Sequence, residues 1–382
     1  MRSRRRHRLP GDPIEHGAHR AHAGFLRVVV ACVAITLVAV AAGCGSGDDS
    51  DDATSDDEAA RPAESTAPPD QPASSTAPPE PVAPEVQEFD VPAGSRPHDV
   101  AVAADGTVWY TAQGSGELGR LDPASGEVAE IPLGQGSRPH GVIIGPDDAP
   151  WITDGGLNAI VRVDPSTSEV TTYPLSTDEN ANLNTAVFDA AGTLWFTGQA
   201  GLYGRLVVDR GEVEVFDAPR GQGPYGIAAT ADGSVYYASL AGSYLGRINP
   251  RTGQATVIEP PTAQQGTRRV WGDSQGRLWT SQWDAGQVAV YDPVTGHWRE
   301  WRLPGDNPQA YAVYVDDHDR VWLSDFGANA MVAFDPTTEV FTSHPLPSVP
   351  GEVRQIHGRP GEVWGAESAA DKLVVIRAAQ NL

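Results

Sequence analysis

The strongest constraint on the fold of this chain is an internal repeat of about 42 residues. A bulky aromatic side chain follows a turn at intervals of 42, 44, 41, 43, 43 and 42 residues. These positions are Trp109, Trp151, Trp195, Tyr236, Trp279, Trp322 and Trp364. Short apolar runs lie on either side of each aromatic, and pairs such as Asp105-Gly106 and Asp122-Pro123 separate them as hairpin turns do. Four short strands per repeat unit predict the blades of a β-propeller.

The two ends of the repeat predict how the ring closes. The last unit supplies three strands, around Val353–Ile356, Glu362–Gly365 and Leu373–Ile376, and an unpaired strand, Val86–Val91, precedes the first unit. We expect that strand to complete the last blade, because a closed ring leaves no free sheet edge. The sequence therefore predicts an all-β, seven-bladed β-propeller over residues 85–382. A β-sandwich would show Greek-key irregularity in place of this period.

The residues before the repeat have the character of an export signal and a tether. Residues 1–43 combine a basic start with an apolar run, and small residues lead up to Cys44, which predicts a lipoprotein signal peptide with Cys44 as the lipidated residue. An uncleaved membrane helix is the alternative. Either places the propeller at the cell membrane on its extracytoplasmic face. Residues 44–84 are acidic and rich in Pro, Ser and Thr, which predicts a disordered tether.

Charge and cysteine content exclude several classes of protein. The chain has 50 acidic and 27 basic side chains, a formal charge of −23, so we expect no nucleic-acid partner, because phosphate binding needs a basic surface. Both cysteines, Cys32 and Cys44, precede the repeat, which excludes a disulfide scaffold or a cysteine zinc site within it. We expect a monomer.

One position in each repeat unit predicts a ring of side chains at the central channel. Eleven residues before each aromatic, and ten in the last unit, lie His98, His140, Asn184, Tyr225, Arg268, Tyr311 and Arg354. All are polar or aromatic, and the innermost strand of each blade begins near the channel. Convergent polar groups of this kind form ligand pockets, so we expect the last five to bind a substrate. A solvated channel with a polar lining is the alternative.

A second set of polar residues follows the aromatics. It comprises Gln113, Asp154, Gln199, Gln282, Asp325 and Glu367. Its carboxylates could hold a hard divalent cation through oxygen. His318, His344 and His357 lie outside both registers, and we expect them at the surface or at strand ends.

Several motifs resemble the streptogramin lyases, that is, the virginiamycin B lyase family. They include Arg138-Pro139-His140-Gly141-Val142, Gly223-Pro224-Tyr225-Gly226-Ile227 and Leu245-Gly246-Arg247-Ile248, and the resemblance spans residues 86–382. It implies an elimination that opens an ester-linked cyclic peptide without water. A base removes the proton α to the ester carbonyl, Mg²⁺ polarises that carbonyl, and the threonine C–O bond breaks. The resemblance implies His140 and His98 as catalytic residues, with His140 the better candidate for the base, and Asp154 as a metal ligand.

The chain departs from the family pattern at three places. Arg138 stands where the family has a glutamate, Gly155 where it has another acid, and Asn184 where it has a tyrosine. We expect Arg138 to lower the pKa of His140 by repulsion of like charge. Two other functions remain open. One is a non-catalytic propeller that binds a small ligand or an envelope partner, and the other is a metal-dependent lactonase.

Overall fold

A computed structural model describes residues 84–177 and 179–377 as seven four-stranded antiparallel sheets. The seven sheets form a β-propeller, which confirms the predicted fold class. The predicted signal peptide, the lipidation site Cys44 and nearly all of the predicted tether lie outside the described residues. Within the described ranges, no helix has the length and apolar content needed to cross a membrane.

The strands are short and evenly spaced, and within the described residues one 3₁₀ helix, Val208–Arg210, interrupts them. In chain order they are β1 (Glu85–Asp90), β2 (Pro97–Val102), β3 (Val108–Ala112), β4 (Glu117–Leu121), β5 (Val128–Pro132), β6 (Pro139–Ile144), β7 (Pro150–Asp154), β8 (Ala159–Val163), β9 (Val170–Pro174), β10 (Leu183–Phe188), β11 (Leu194–Gly198), β12 (Leu202–Val207), β13 (Glu212–Asp217), β14 (Pro224–Ala229), β15 (Val235–Ser239), β16 (Tyr244–Ile248), β17 (Ala255–Ile258), β18 (Thr267–Gly272), β19 (Leu278–Gln282), β20 (Gln287–Tyr291), β21 (Trp298–Arg302), β22 (Ala310–Val315), β23 (Val321–Asp325), β24 (Ala330–Asp335), β25 (Val340–Pro345), β26 (Val353–Arg359), β27 (Glu362–Glu367) and β28 (Lys372–Arg377).

Blades one to six each consist of four consecutive strands, from β2–β5 to β22–β25. Blade seven contains β26, β27 and β28, and its outermost strand is β1. In this last pairing Val86 lies opposite Ile376 and Phe89 opposite Leu373. The N-terminal strand therefore closes the ring, as predicted.

The repeated aromatics lie between blades and are anchored at one end. Trp109, for example, packs in one buried cluster with Val142 and Ile152 of the next blade. In five blades the indole Nε1–H donates to an acid two to six residues earlier in the chain, as Trp151 does to Asp147 at 3.0 Å. The period of the sequence thus arises from one packing contact and one hydrogen bond that recur around the ring.

An irregularity near the start of each innermost strand determines where side chains enter the channel. The pairing of the first two strands shifts in all seven blades, for example between Pro97 and Val100 and between Val353 and Ile356. A bulge of this kind bends a strand and changes the direction of its side chains. It therefore presents the second residue of each innermost strand to the central channel, and in some blades the third as well.

Candidate functional site

All seven residues of the predicted ring occupy the same place in the structure. Each is the second residue of its innermost strand: His98 in β2, His140 in β6, Asn184 in β10, Tyr225 in β14, Arg268 in β18, Tyr311 in β22 and Arg354 in β26. We call the end of the channel that they surround the histidine face. A line of contacts links the two histidines to the tyrosines and arginines.

The two histidines form a buried pair with their rings in contact and tilted relative to each other. Their ring centroids lie 3.8 Å apart at 42°, and His98 is 3% exposed and His140 7% exposed. The Nδ1 atom of His98 lies 2.8 Å from a carboxylate oxygen of Asp99, and Nδ1 of His140 lies 3.0 Å from the carbonyl oxygen of Asn184. Since both oxygens only accept, each Nδ1 carries the hydrogen. When the rings are neutral, each Nε2 therefore keeps its lone pair.

The surroundings of the pair keep both rings neutral. Burial lowers the pKa of His98 well below its usual value, and the charge of Arg269 lowers it further. Burial also lowers the pKa of His140, followed by the proximity of His98 and the charge of Arg269, while Asp99 opposes the shift. The direction predicted for His140 is correct, but its cause differs. Arg138 is exposed and is not among the groups that lower this pKa.

An ion pair spans the channel directly below the histidines. Arg269 of blade five donates to both carboxylate oxygens of Asp99 of blade one, at 2.7 and 3.1 Å, and both side chains are at least 95% buried. The Arg269 guanidinium also donates to the hydroxyl of Thr185 and to the carbonyl of Arg354. Burial works against the charge of Arg269, but the attraction of Asp99 prevails and its pKa is raised. This pair forms the floor of the histidine face.

The other half of the ring is aromatic and cationic. The hydroxyls of Tyr225 and Tyr311 share a 2.6 Å hydrogen bond. The guanidinium carbon of Arg268 lies 3.9 Å from the ring centroid of Tyr311 and 5.0 Å from that of Trp283, within the range of cation–π attraction. Arg354 approaches Tyr311 at 5.7 Å and pairs with Glu352. Arg269 and Arg354 are each paired with a carboxylate, so Arg268 is the arginine of this face that has no ion pair among the described residues.

Two polar groups on this face lack a hydrogen-bond partner among the described residues. One is the side-chain amide of Asn184, whose oxygen and nitrogen are both buried, and the other is the buried Nε atom of Arg268. Desolvated polar atoms of this kind cost free energy unless a ligand or water satisfies them. Asn184 lies next to His140, and Arg268 contacts the Tyr225 ring that His140 also contacts. These groups are the best placed to bind the polar groups of a ligand.

The second predicted set of residues does not gather at the histidine pair. The Asp154 carboxylate caps its own turn region, since it accepts hydrogen bonds from the Ser137 hydroxyl and from the backbone N–H groups of Arg138, Gly156 and Leu157. Asp325 caps a turn in the same way. Gln282 accepts a hydrogen bond from a neighbouring side chain, and Glu367 is buried in the closing blade.

These contacts decide whether magnesium fits the residues present. Among the described residues, the clusters of metal-ligand side chains are His98 with Asp99 and His140, and Asp316 with Asp317 and His318. Mg²⁺ prefers oxygen ligands, yet in the buried cluster the Asp99 oxygens are held by Arg269 and the other two groups are imidazoles. With Asp154 also committed to its turn, the residues of the histidine face do not fit Mg²⁺.

Sequence reasoning missed the layer directly below the predicted ring. Asp99, Thr185, Arg269 and Gln355 are each the third residue of an innermost strand. A second signal is also visible in the sequence: a Ser or Thr lies two residues after the aromatic in five units, at Thr111, Thr153, Thr197, Ser281 and Ser324. In each case its hydroxyl oxygen accepts the backbone N–H of the third residue in the same blade.

Comparison with known proteins agrees with this architecture. Residues 84–376 match the model of the virginiamycin B lyase family. Among solved structures, virginiamycin B lyase from Staphylococcus aureus shares 19% identity at a TM-score of 0.72 and covers 78% of this chain and 100% of its own. A streptogramin B lyase structure shares 22% identity at a TM-score of 0.71, covering 78% of this chain and 98% of its own. The S. aureus enzyme was also solved with quinupristin, as a catalytically inactive histidine-to-alanine variant.

Propellers of other kinds are similar too. YCF48 bound to the D1 peptide shares 15% identity at a TM-score of 0.62, and the match covers 77% of this chain and 97% of that one. No curated protein matches the sequence. Identities this low show a common fold, whereas the family model spans most of the chain. The chain belongs to the virginiamycin B lyase family over residues 84–376.

Proposed function

We propose that the histidine face binds an ester-linked cyclic peptide and opens it by elimination, with Nε2 of His140 as the base. The observation that carries this proposal is the buried histidine pair. The Nδ1–H of His140 is committed to the Asn184 carbonyl, and a lowered pKa keeps its Nε2 lone pair available at neutral pH. Family membership supports the reaction class, and the quinupristin complex of the S. aureus relative supports the substrate class.

The balance of atoms identifies the carbon that loses the proton. In a β-elimination the bond that breaks joins the ester oxygen to the alcohol-side carbon. The proton must therefore leave the α-carbon of the residue whose side chain provides that oxygen, not the acid side of the ester. Its electron pair forms the carbon–carbon double bond, a carboxylate departs, and Nε2 of His140 receives the proton. Asp99 favours the resulting imidazolium, since its charge raises the pKa of His140.

The cationic half of the ring suits the charge that this reaction creates. The departing carboxylate and the developing enolate are anions, which preorganised donors stabilise. Arg268 has a buried Nε without a partner among the described residues, and it contacts the Tyr225 ring beside His140. Asn184 supplies an amide for the peptide backbone. These residues provide electrostatic stabilisation without a metal.

The test is mass spectrometry of quinupristin after incubation with the full-length protein. Elimination leaves the mass unchanged and gives an open chain with a dehydrated residue, whereas hydrolysis adds water. We expect His140→Ala to lower turnover by roughly 10²–10⁴-fold, the usual contribution of a positioned base, His98→Ala to lower it less, and chelation by EDTA to have no effect. His318→Ala is the matched control, since this histidine is exposed in a turn region. An intact ring after incubation with wild type rejects the lyase activity, and equal rates for wild type and His140→Ala reject the base.

A second candidate function is ligand binding without turnover. The burial of both imidazoles favours it. Both imidazoles are more than 90% buried, and the Asp99–Arg269 pair already satisfies much of the polar floor. On this alternative, calorimetry would show that quinupristin binds but stays intact. Arg268→Ala would weaken binding, and His140→Ala would leave it unchanged.

A further inference from the structure

A cavity lies in the channel on the far side of the Asp99–Arg269 pair from the histidines. Its volume is about 210 Å³, and its walls come from the third to sixth residues of the innermost strands, with Asp99 and Arg269 themselves at its upper end. The ring residues of the histidine face, in contrast, are all second residues. The ion pair therefore separates this space, which we call the lower cavity, from the histidine face.

The walls of the lower cavity are mainly apolar. They include Val142, Val187, Ile227, Val270, Trp271 and Val313. An apolar cavity of about 150 Å³ is large enough to hold benzene. The lower cavity therefore has room for a benzene-sized group with a small substituent.

The polar side chains of the lower cavity offer donors. The Nε–H of Arg269 is buried without a partner among the described residues. The side-chain oxygen of Gln355 accepts the Val100 N–H, which leaves its amide hydrogens as donors. Nδ1 of His357 accepts the Val102 N–H at 3.4 Å, so its Nε2 carries the hydrogen. A ligand that satisfies these groups must bring an acceptor.

The charge of the lower cavity excludes an anionic ligand. Asp99 neutralises Arg269 through two hydrogen bonds. Burial lowers the pKa of His357 to about 4, so the imidazole is neutral. An anion here would lose its hydration without a free counter-charge, which is unfavourable.

We propose that the lower cavity is a second ligand site, which binds a small, uncharged, mainly apolar molecule with a carbonyl acceptor, such as a ketone, ester or amide. The site is separate from the histidine face, and its ligand does not depend on the lyase proposal. The apolar walls bind the body of the ligand, and Gln355 and His357 donate to its carbonyl oxygen.

The experiment compares three fluorinated probes by ¹⁹F NMR line broadening with the full-length protein. 4-Fluoroacetophenone has the proposed chemistry, fluorobenzene lacks the acceptor, and 4-fluorobenzoate carries a charge. We expect the ketone to bind at least about 3-fold more tightly than fluorobenzene, as hydrogen bonds to Gln355 and His357 imply, and the benzoate to bind most weakly. No broadening by the ketone, or equal broadening by all three probes, would overturn the proposal.

Two variants locate the bound probe. Ala229→Phe fills the cavity from its wall and should weaken ketone binding at least tenfold, while Ala129→Phe, on the exposed outer strand of blade one, should have no effect. His357→Phe keeps the ring volume but removes one of the two donors, so the ketone should lose part of its advantage while fluorobenzene binds as before. If Arg268→Ala abolishes binding and Ala229→Phe does not, the probe occupies the histidine face and the proposal is wrong.

Discussion

At the scale of single residues, Asp99 does the most to organise the histidine face. Its carboxylate accepts from Nδ1 of His98 and from Arg269, so it determines the tautomer of one and compensates the charge of the other. Its partner lies 170 positions away along the chain. The repeat predicts that His98 and His140 reach the channel, but it does not predict which third residues meet across it. That pairing depends on the bulges and on side-chain length, so sequence reasoning found the ring and missed its floor.

Glu367 provides a prediction about pH. Burial, and then the charge of Glu88, raises the pKa of this carboxyl to about 8, and neither of its oxygens has a partner among the described residues. The native state therefore holds a proton that the unfolded chain releases near pH 4.5. The contribution of Glu367 to the free energy of unfolding is therefore most favourable below that pH, and it falls as the pH rises toward 8. We expect Glu367→Gln to remove this fall and to be more stable than wild type at pH 9, by on the order of 1 to a few kcal/mol.

Urea denaturation at pH 5, 7 and 9 measures this effect. The exposed Glu127→Gln serves as the control, because it should follow the wild-type profile. Parallel profiles for wild type and Glu367→Gln would show that Glu367 ionises in the native state as it does in the unfolded chain.

At the scale of the structural elements, the regular part of each blade was predictable and the bulged part was not. Strand number, turn positions and the pairing of β1 with β28 follow from apolar alternation and from turn residues, which are local. The bulges have no such local pattern, and they determine how deep a side chain lies. The hydroxyls that follow the aromatics are the nearest sequence signal. Thr153, for instance, accepts from the Gly141 N–H and donates to the carbonyl of Asn184.

Thr153→Val tests the hydroxyl link between blades two and three. The substitution keeps the shape of the side chain but leaves the Gly141 N–H buried without its acceptor, which should destabilise the fold by about 1–3 kcal/mol. It should also displace His140, because the Asn184 carbonyl receives both the hydroxyl and the imidazole hydrogen. Thermal unfolding measures the loss, and Thr172→Val on exposed β9 should change stability by less than about 0.5 kcal/mol. If the two variants were equally stable, the Thr153 hydroxyl would have no structural role.

At the scale of the whole molecule, the closed ring explains why the channel can be polar and still stable. Apolar clusters fill the spaces between adjacent blades, as Trp279 and Phe334 do for blades five and six. The centre can then hold an ion pair and two histidines without interrupting that packing. The lower cavity could not be predicted from the sequence, because it is a space enclosed by the innermost strands of all seven blades and not a property of any one repeat.

Deletion of Val86–Val91 tests the closure. Without β1, the backbone groups of β28 become an open sheet edge, and Phe89 no longer stacks on Trp364. We expect a lower melting temperature and self-association, because exposed edges pair with other chains. Light scattering and thermal unfolding report both effects. A monodisperse variant that melts with wild type would show that blade seven is stable with three strands.

Cys44→Ser tests the expected membrane anchor. A lipid on one cysteine is the whole attachment that the sequence predicts, so the variant should be released into the medium or should accumulate unprocessed. Fractionation followed by mass spectrometry of the N-terminus measures the outcome. If the variant stayed at the membrane at its mature size, Cys44 would not be the attachment point.

The pairing of Glu85 with Arg377 also determines the order in which parts of the domain can fold. These are the first and last residues of the strands that close the ring, so the contact that completes the domain spans nearly its whole length. Such distant contacts form slowly, because the entropy of a long loop must be overcome first. Each blade can form its hairpins as soon as its own residues are available, but β1 remains without a partner until β28 exists. A chain interrupted anywhere in blade seven therefore stays an open arc, and folding is completed only when the last strand has been made.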